Sequence, residues 1–174
     1  MNDFSQDTFF EQIVTIRKTG KTFTAFLGIW FLALLVCALI FLVLSAFLGS
    51  ISLLVVFGAL FGAYKWSSLL NVEYEYIITN GTMDVDKIIN RSSRKRMLSF
   101  DLSTVSKIEK FNPHAPSNPK SLVIACNTED ENSYLLVAER EGKGNIELVF
   151  TPDERIQSAI KKFVPKYISN SAFK

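Results

Sequence analysis

Thr22–Tyr64 reads TFTAFLGIWFLALLVCALIFLVLSAFLGSISLLVVFGALFGAY and contains no Asp, Glu, Lys, Arg or His. A helix needs about 20 apolar residues, at ~1.5 Å rise each, to cross a ~30 Å hydrocarbon core, so this run predicts two crossings. Phe23–Leu48 is almost wholly Leu, Phe, Ala, Ile and Val, then Gly49-Ser50-Ile51-Ser52 interrupts, and Leu53–Leu69 resumes the apolar run. The expectation is a transmembrane helical hairpin over residues 22–70, with spans at about 22–48 and 51–70. The first span is too long for the apolar part of a secretory signal, which runs about 7–15 residues, and no small-residue cleavage pattern ends it.

Outward from the hairpin, the charges set its orientation. Arg17, Lys18 and Lys21 precede the first span, Lys65 ends the second, and the short turn between them is uncharged. Lys and Arg at span ends stay on the cytoplasmic side, so the chain is expected in the cell membrane as a multi-pass protein with both termini cytoplasmic. Trp30, Tyr64 and Trp66 read as interface anchors. Cys37 falls in the first span and Cys126 in an expected strand, so they form no disulfide framework and a reducing compartment fits. No ionisable residue sits mid-span, which argues against transport by this hairpin alone.

Gly58-Ala59-Leu60-Phe61-Gly62 is a G-x-x-x-G pattern, and small residues one turn apart let a second backbone approach. Gly58 and Gly62 are therefore the expected helix-packing positions. Their partner is either the first span, with its small residues Ala33, Cys37 and Ala38, or a second copy of the chain. In residues 1–21, Phe9, Phe10, Ile13, Val14 and Ile16 fall near helical spacing. This cytoplasmic segment is either a short amphipathic helix on the membrane face or a disordered tail.

From residue 71 the pattern becomes short β-like segments. Val72–Thr79 and Thr82–Ile89 flank Asn80-Gly81, a strong hairpin turn. Met97–Leu102, Val105–Phe111, Ser121–Cys126, Tyr134–Glu139 and Asn145–Phe150 complete seven expected strands, the last two joined through Gly142-Lys143-Gly144. Asn112–Pro119, with three prolines, is an exposed loop. Thr151-Pro152-Asp153-Glu154 then opens a helix, with Thr151 as cap, Pro152 at the first position and Glu154 completing a capping box. Its stripe Ile156, Ile160, Phe163, Val164 and Tyr167 is expected to dock one face on the sheet, and Pro165 ends or kinks it.

The stretch Tyr74–Val85 (YEYIITNGTMDV), followed by Arg94–Asp101 (RKRMLSFD) and Ile108, resembles bacterial pleckstrin-homology-like domains that follow paired membrane spans. Over roughly residues 20–165 the chain is similar to an uncharacterised family of two-span membrane proteins from Gram-positive bacteria. The resemblance implies an α+β protein: a two-helix transmembrane hairpin, then a cytoplasmic domain at 71–174. That domain is a seven-stranded antiparallel β-barrel or sandwich capped by a C-terminal helix. It specifies no chemistry.

The residues supply no catalytic constellation, and no enzyme activity, cofactor or metal is expected. His114 is the only histidine and has no nucleophile placed for it. Thr19-Gly20-Lys21-Thr22 matches the end of a phosphate-binding loop, but Thr15 stands where its first glycine belongs. Asp84 and Asp86 read as a solvated strand face, and the glycosylation-like triplets at Asn80 and Asn90 as turns. Lys87, Arg91, Arg94, Lys95 and Arg96 form one basic cluster around the turn between the second and third expected strands. Beside an anionic inner leaflet each basic residue gains roughly 1 kcal/mol, so the cluster is the candidate surface for membrane lipid or an acidic protein partner. The alternative is a solvated turn balanced by Glu73, Glu75, Asp84 and Asp86. Nucleic acid is excluded as a partner, because the cluster is short, lacks interleaved aromatics, and the net charge is only +2. The expected function is a membrane-anchored, non-catalytic interaction module; the alternative is an accessory subunit or assembly factor of a larger membrane complex.

Overall fold

The computed structural model describes residues 8–16, 20–115, 121–140 and 144–173. Arg17, Lys18 and Thr19, residues 116–119 of the expected proline-rich loop, and Gly142-Lys143 of the expected turn lie outside these residues. The element order is β1 (Phe9–Thr15), α1 (Gly20–Leu48), α2 (Ser52–Ser68), β2 (Val72–Thr79), β3 (Thr82–Ile89), β4 (Ser93–Asp101), β5 (Val105–Lys110), β6 (Leu122–Ile124), β7 (Tyr134–Arg140), β8 (Gly144–Phe150), α3 (Glu154–Phe163) and α4 (Lys166–Ala172). The chain divides into two compact units. One holds the strands with α3 and α4; the other holds α1, α2 and the Ile89–Ser92 turn.

Gly20–Ser68 is long and apolar enough to cross a membrane by length and composition. It is not straight. A 3-10 turn at Gly49–Ile51 separates α1 from α2, and Gly49 takes φ +54, a left-handed conformation that costs glycine nothing. The two helices lie against each other, with Cys37 Sγ 3.9 Å from the Val56 carbonyl oxygen and Ser52, Ala63 and Ser67 buried. The predicted break at Gly49–Ser52 coincides with this turn.

In the β-rich unit, β1 is the largest departure from the sequence reading. Residues 9–15 form neither an amphipathic helix nor a tail but a strand paired antiparallel to β2, from Phe9↔Thr79 to Thr15↔Glu73. Its pattern is period two: Phe10 and Val14 pack on the core while Phe9, Glu11 and Ile13 stay exposed. The edge of β2 supplies the backbone partners, and the apolar helical segment is inserted between two neighbouring strands of one sheet. Gln12 fastens β1 from the side: its Nε2 donates to the Thr151 carbonyl at 3.0 Å and its Oε1 accepts from the Asp153 N–H at 2.8 Å.

The expected seven-stranded barrel or sandwich is corrected to two four-stranded sheets among the described residues, ordered β1-β2-β3-β4 and β5-β7-β8-β6. β6 is parallel to β8, while β5–β7 and β7–β8 run antiparallel. The extra strand is β1, and the third expected strand, Met97–Leu102, begins earlier at Ser93 because β4 continues the ladder straight from the β3 turn. Tyr76, Ile78, Met83 and Phe100 of the first sheet share one core with Leu136, Leu148 and Phe150 of the second. Tyr76 links them: its hydroxyl donates to Ala125 O at 2.6 Å and accepts from Thr151 N at 3.2 Å, while its ring meets Phe150 edge-on at 5.8 Å. Burial raises its pKa, so the phenol stays protonated as that donor.

α3 closes this core with Ile156, Ala159 and Ile160. Its cap is Asp153, not Thr151: the Asp153 carboxylate accepts from Ile156 N at 2.8 Å. Thr151 is drawn away because its N–H and carbonyl are engaged by Tyr76 and Gln12. The helix stops at Phe163, before Pro165, and α4 resumes the chain with Ile168 buried.

Candidate functional site

The β3–β4 connection places its basic residues in two different situations. Arg94 Nη2 lies 2.8 Å from Glu75 Oε1, and Arg96 bridges Asp84 Oδ2 at 2.9 Å and Asp86 Oδ1 at 3.1 Å. Glu75 is fully buried and Asp86 nearly so, which corrects the reading of Asp84 and Asp86 as a solvated face. These acids sit beneath guanidinium groups that are themselves half exposed. Burial raises the Glu75 pKa, the neighbouring Glu11 carboxyl adds to the rise, and Arg94 pulls against it. Glu75 Oε2 has no hydrogen-bond partner among the described residues. Lys87 and Lys95 form no ion pair among the described residues, and Lys95 is exposed.

Arg91 stands at the turn with Asn90, and both have positive φ, 53° and 51°. This is the two-residue hairpin geometry that glycine and asparagine favour, and an arginine there carries backbone strain of about 1–2 kcal/mol. The turn is held to the end of α2, where the Asn90 N–H donates to the Asn71 carbonyl at 2.8 Å.

That same unit contains a cavity of about 510 Å³. Phe23, Phe26 and Trp30 from the first turns of α1 and Tyr64 from α2 make its aromatic wall. Thr22, Ser67, Ser68, Asn71 and Asn90 add polar groups to its lining. The Ser67 hydroxyl is spent on the Tyr64 carbonyl at 2.9 Å, whereas the Asn71 and Asn90 carboxamides have no partner among the described residues. Trp30 was expected as an interface anchor; its enclosed Nε1–H has no acceptor among the described residues. Sequence reasoning missed Asn71 and Asn90, because each reads locally as an ordinary turn asparagine.

Gly58 and Gly62 do not meet α1. Both are exposed, and a methyl group added at either would touch nothing within 4 Å. The close packing of α2 on α1 uses its other face, through Val56 and Ala63. His114 is exposed, its N–H donating to Asn112 Oδ1 at 3.0 Å in a local turn. Cys126 is buried beside Ser133 Oγ at 3.6 Å, and burial pushes its thiol pKa up, away from a reactive thiolate. Among the described residues no three His, Cys, Asp or Glu side chains group as a metal site.

No curated protein and no solved structure matches the chain. A family model described as "Bacterial PH-like domain (DUF6106)" matches residues 6–170, a span that includes both apolar helices, all eight strands among the described residues, and α3. With β1 and the apolar helices inside the matched span, the chain belongs to this bacterial PH-like domain family.

Proposed function

We propose that this protein is a membrane-anchored, non-catalytic interaction module in which α1 and α2 cross the bilayer and the PH-like unit works at the inner face, its β3–β4 turn engaging anionic lipid. PH-like domains are generally non-catalytic, and membership of such a family supports the reading of an interaction module. The observation that carries the reading is the place of the turn: Asn90, beside Arg91, is hydrogen-bonded to Asn71 at the end of the apolar helices. A strained arginine is thereby kept where a bilayer's headgroups would lie. Anionic headgroups there attract it at roughly 1 kcal/mol per basic residue, with Lys87 and Lys95 adding to the field.

The strand pairing supports two crossings. β1 leads into α1, β2 follows α2, and Thr15 pairs with Glu73, so both ends of Gly20–Ser68 lie on one side. α1, at 29 residues, extends about 43 Å, and α2, at 17, about 26 Å, the latter at the short end for a span. Lys21 and Lys65 at the shared end favour its lying on the cytoplasmic side.

Hydrogen exchange of residues 89–97 in the full chain, reconstituted in nanodiscs with and without anionic lipid, tests the reading. Protection that requires anionic lipid and is lost at high salt or in Arg91→Gly is expected. Equal exchange in both lipids would remove lipid from the proposal and turn the search to an acidic protein partner.

A second reading, an accessory subunit of a membrane complex or a dimer, is favoured by one observation: the Gly58–Gly62 face of α2 is open. Gly58→Leu would then lose co-purifying membrane proteins or the second copy, and unchanged association would discard it.

A further inference from the structure

We propose that the cavity lined by α1, α2 and the β3–β4 turn binds one anionic glycerophospholipid, with an acyl chain against Phe26 and Trp30 and its ester and phosphate oxygens at Asn71 and Asn90. The proposal rests on the reading of α1 and α2 as membrane-crossing helices. At about 510 Å³ the cavity falls within the ~300–1,000 Å³ typical of small-molecule sites. Its lining is graded by position along the chain: Phe26 and Trp30 lie within α1, away from its start, whereas Thr22, Ser67, Ser68, Asn71 and Asn90 lie at or beyond the helix ends. This is the order in which a lipid presents its chain, its esters and its headgroup.

Donors are available where the headgroup would lie. The Asn71 and Asn90 carboxamides each bring two N–H donors, and neither is spent on a partner among the described residues. A soluble apolar ligand would leave those groups unpaired, and a fully polar ligand would leave the rings of Phe23, Phe26 and Trp30 against water. The charge is complementary to an anion. No Asp or Glu lines the cavity, and three lining residues each adjoin a basic residue in the chain: Thr22 beside Lys21, Tyr64 beside Lys65 and Asn90 beside Arg91. A zwitterionic lipid would satisfy the shape without using that field.

The test uses the full chain with Trp66→Phe, which leaves Trp30 as its one tryptophan. The protein is reconstituted in phosphatidylcholine vesicles containing a minority of phosphatidylglycerol, with bromine on the acyl chains of one lipid or the other. Brominated phosphatidylglycerol is expected to quench Trp30 roughly threefold more than the same mole fraction of brominated phosphatidylcholine, the mark of a site rather than a random annulus. Asn71→Ala combined with Asn90→Gly, where glycine keeps the left-handed backbone, is expected to bring that ratio to one. Equal quenching by the two lipids in the parent protein would overturn the proposal while leaving the crossing helices intact. A preference that survives the double substitution would overturn its assignment to this cavity. No quenching in wholly brominated phosphatidylcholine would overturn the membrane reading itself, and the lipid site with it.

Discussion

Single residues carry strain and charge that the chain's composition does not reveal. Gly81, at φ +90, completes the β2–β3 turn, and a methyl group there would lie 3.1 Å from the Phe163 ring. Gly81→Ala is therefore expected to lower stability by about 1–2 kcal/mol for the backbone alone, with a further loss as Phe163 shifts, measured as a lower melting temperature. Glu75 makes the opposite kind of demand. Its folded pKa lies above the ordinary 4.5, so the folded state holds its proton more tightly than the unfolded chain does. Its contribution to stability is complete below that ordinary value and is lost as pH rises through the raised one. Melting curves from acid to neutral pH should show the parent protein losing stability relative to Glu75→Gln as pH rises; parallel curves would mean that Glu75 is not perturbed. Asn80-Gly81 was legible as a turn because a two-residue hairpin selects those residues. The pairing of Arg94 with Glu75 was not, because it depends on which strands become neighbours.

At the scale of elements, β1 decides whether the β-rich unit is whole. Without residues 8–16, β2 would become an edge strand with an unpaired row of backbone groups, and the Thr151 carbonyl and Asp153 N–H would lose Gln12. Gln12→Ala removes two hydrogen bonds from a half-buried junction and is expected to cost about 1–3 kcal/mol in thermal or denaturant unfolding. A fragment starting at residue 71 should be poorly folded or aggregate, whereas the same fragment supplied with residues 8–16 should recover a cooperative transition. Comparable melting of both fragments would show β1 to be dispensable. β1 escaped the sequence reading because Phe9, Phe10, Ile13, Val14 and Ile16 satisfy helical spacing as well as they satisfy alternation. Only the distant β2 edge breaks the tie. The helix start at Thr151–Glu154 was legible as a region, but which residue caps it turned on the bonds that Tyr76 and Gln12 make to Thr151.

At the scale of the whole molecule, the proposed two crossings make a topological prediction. In intact cells Ser50→Cys should react with a membrane-impermeant maleimide, while Ser106→Cys, exposed on β5, should react only after lysis. Labelling of both from outside, or of neither, would contradict an in–out–in path. The apolar segment, its break at Gly49 and most of the strands after residue 71 were legible in the sequence itself. These features depend on local chemistry: transfer of apolar side chains from water, the left-handed freedom of glycine, and alternation along a strand. Tertiary structure alone decided that a strand before the apolar segment pairs with one after it. It alone turned the Gly58–Gly62 face of α2 away from α1, set Arg94 and Arg96 over buried acids, and brought Asn71 and Asn90 to one cavity. Each of these joins residues far apart in the chain, and their free energy comes from surfaces that exist only once the sheet and the helix pair have formed.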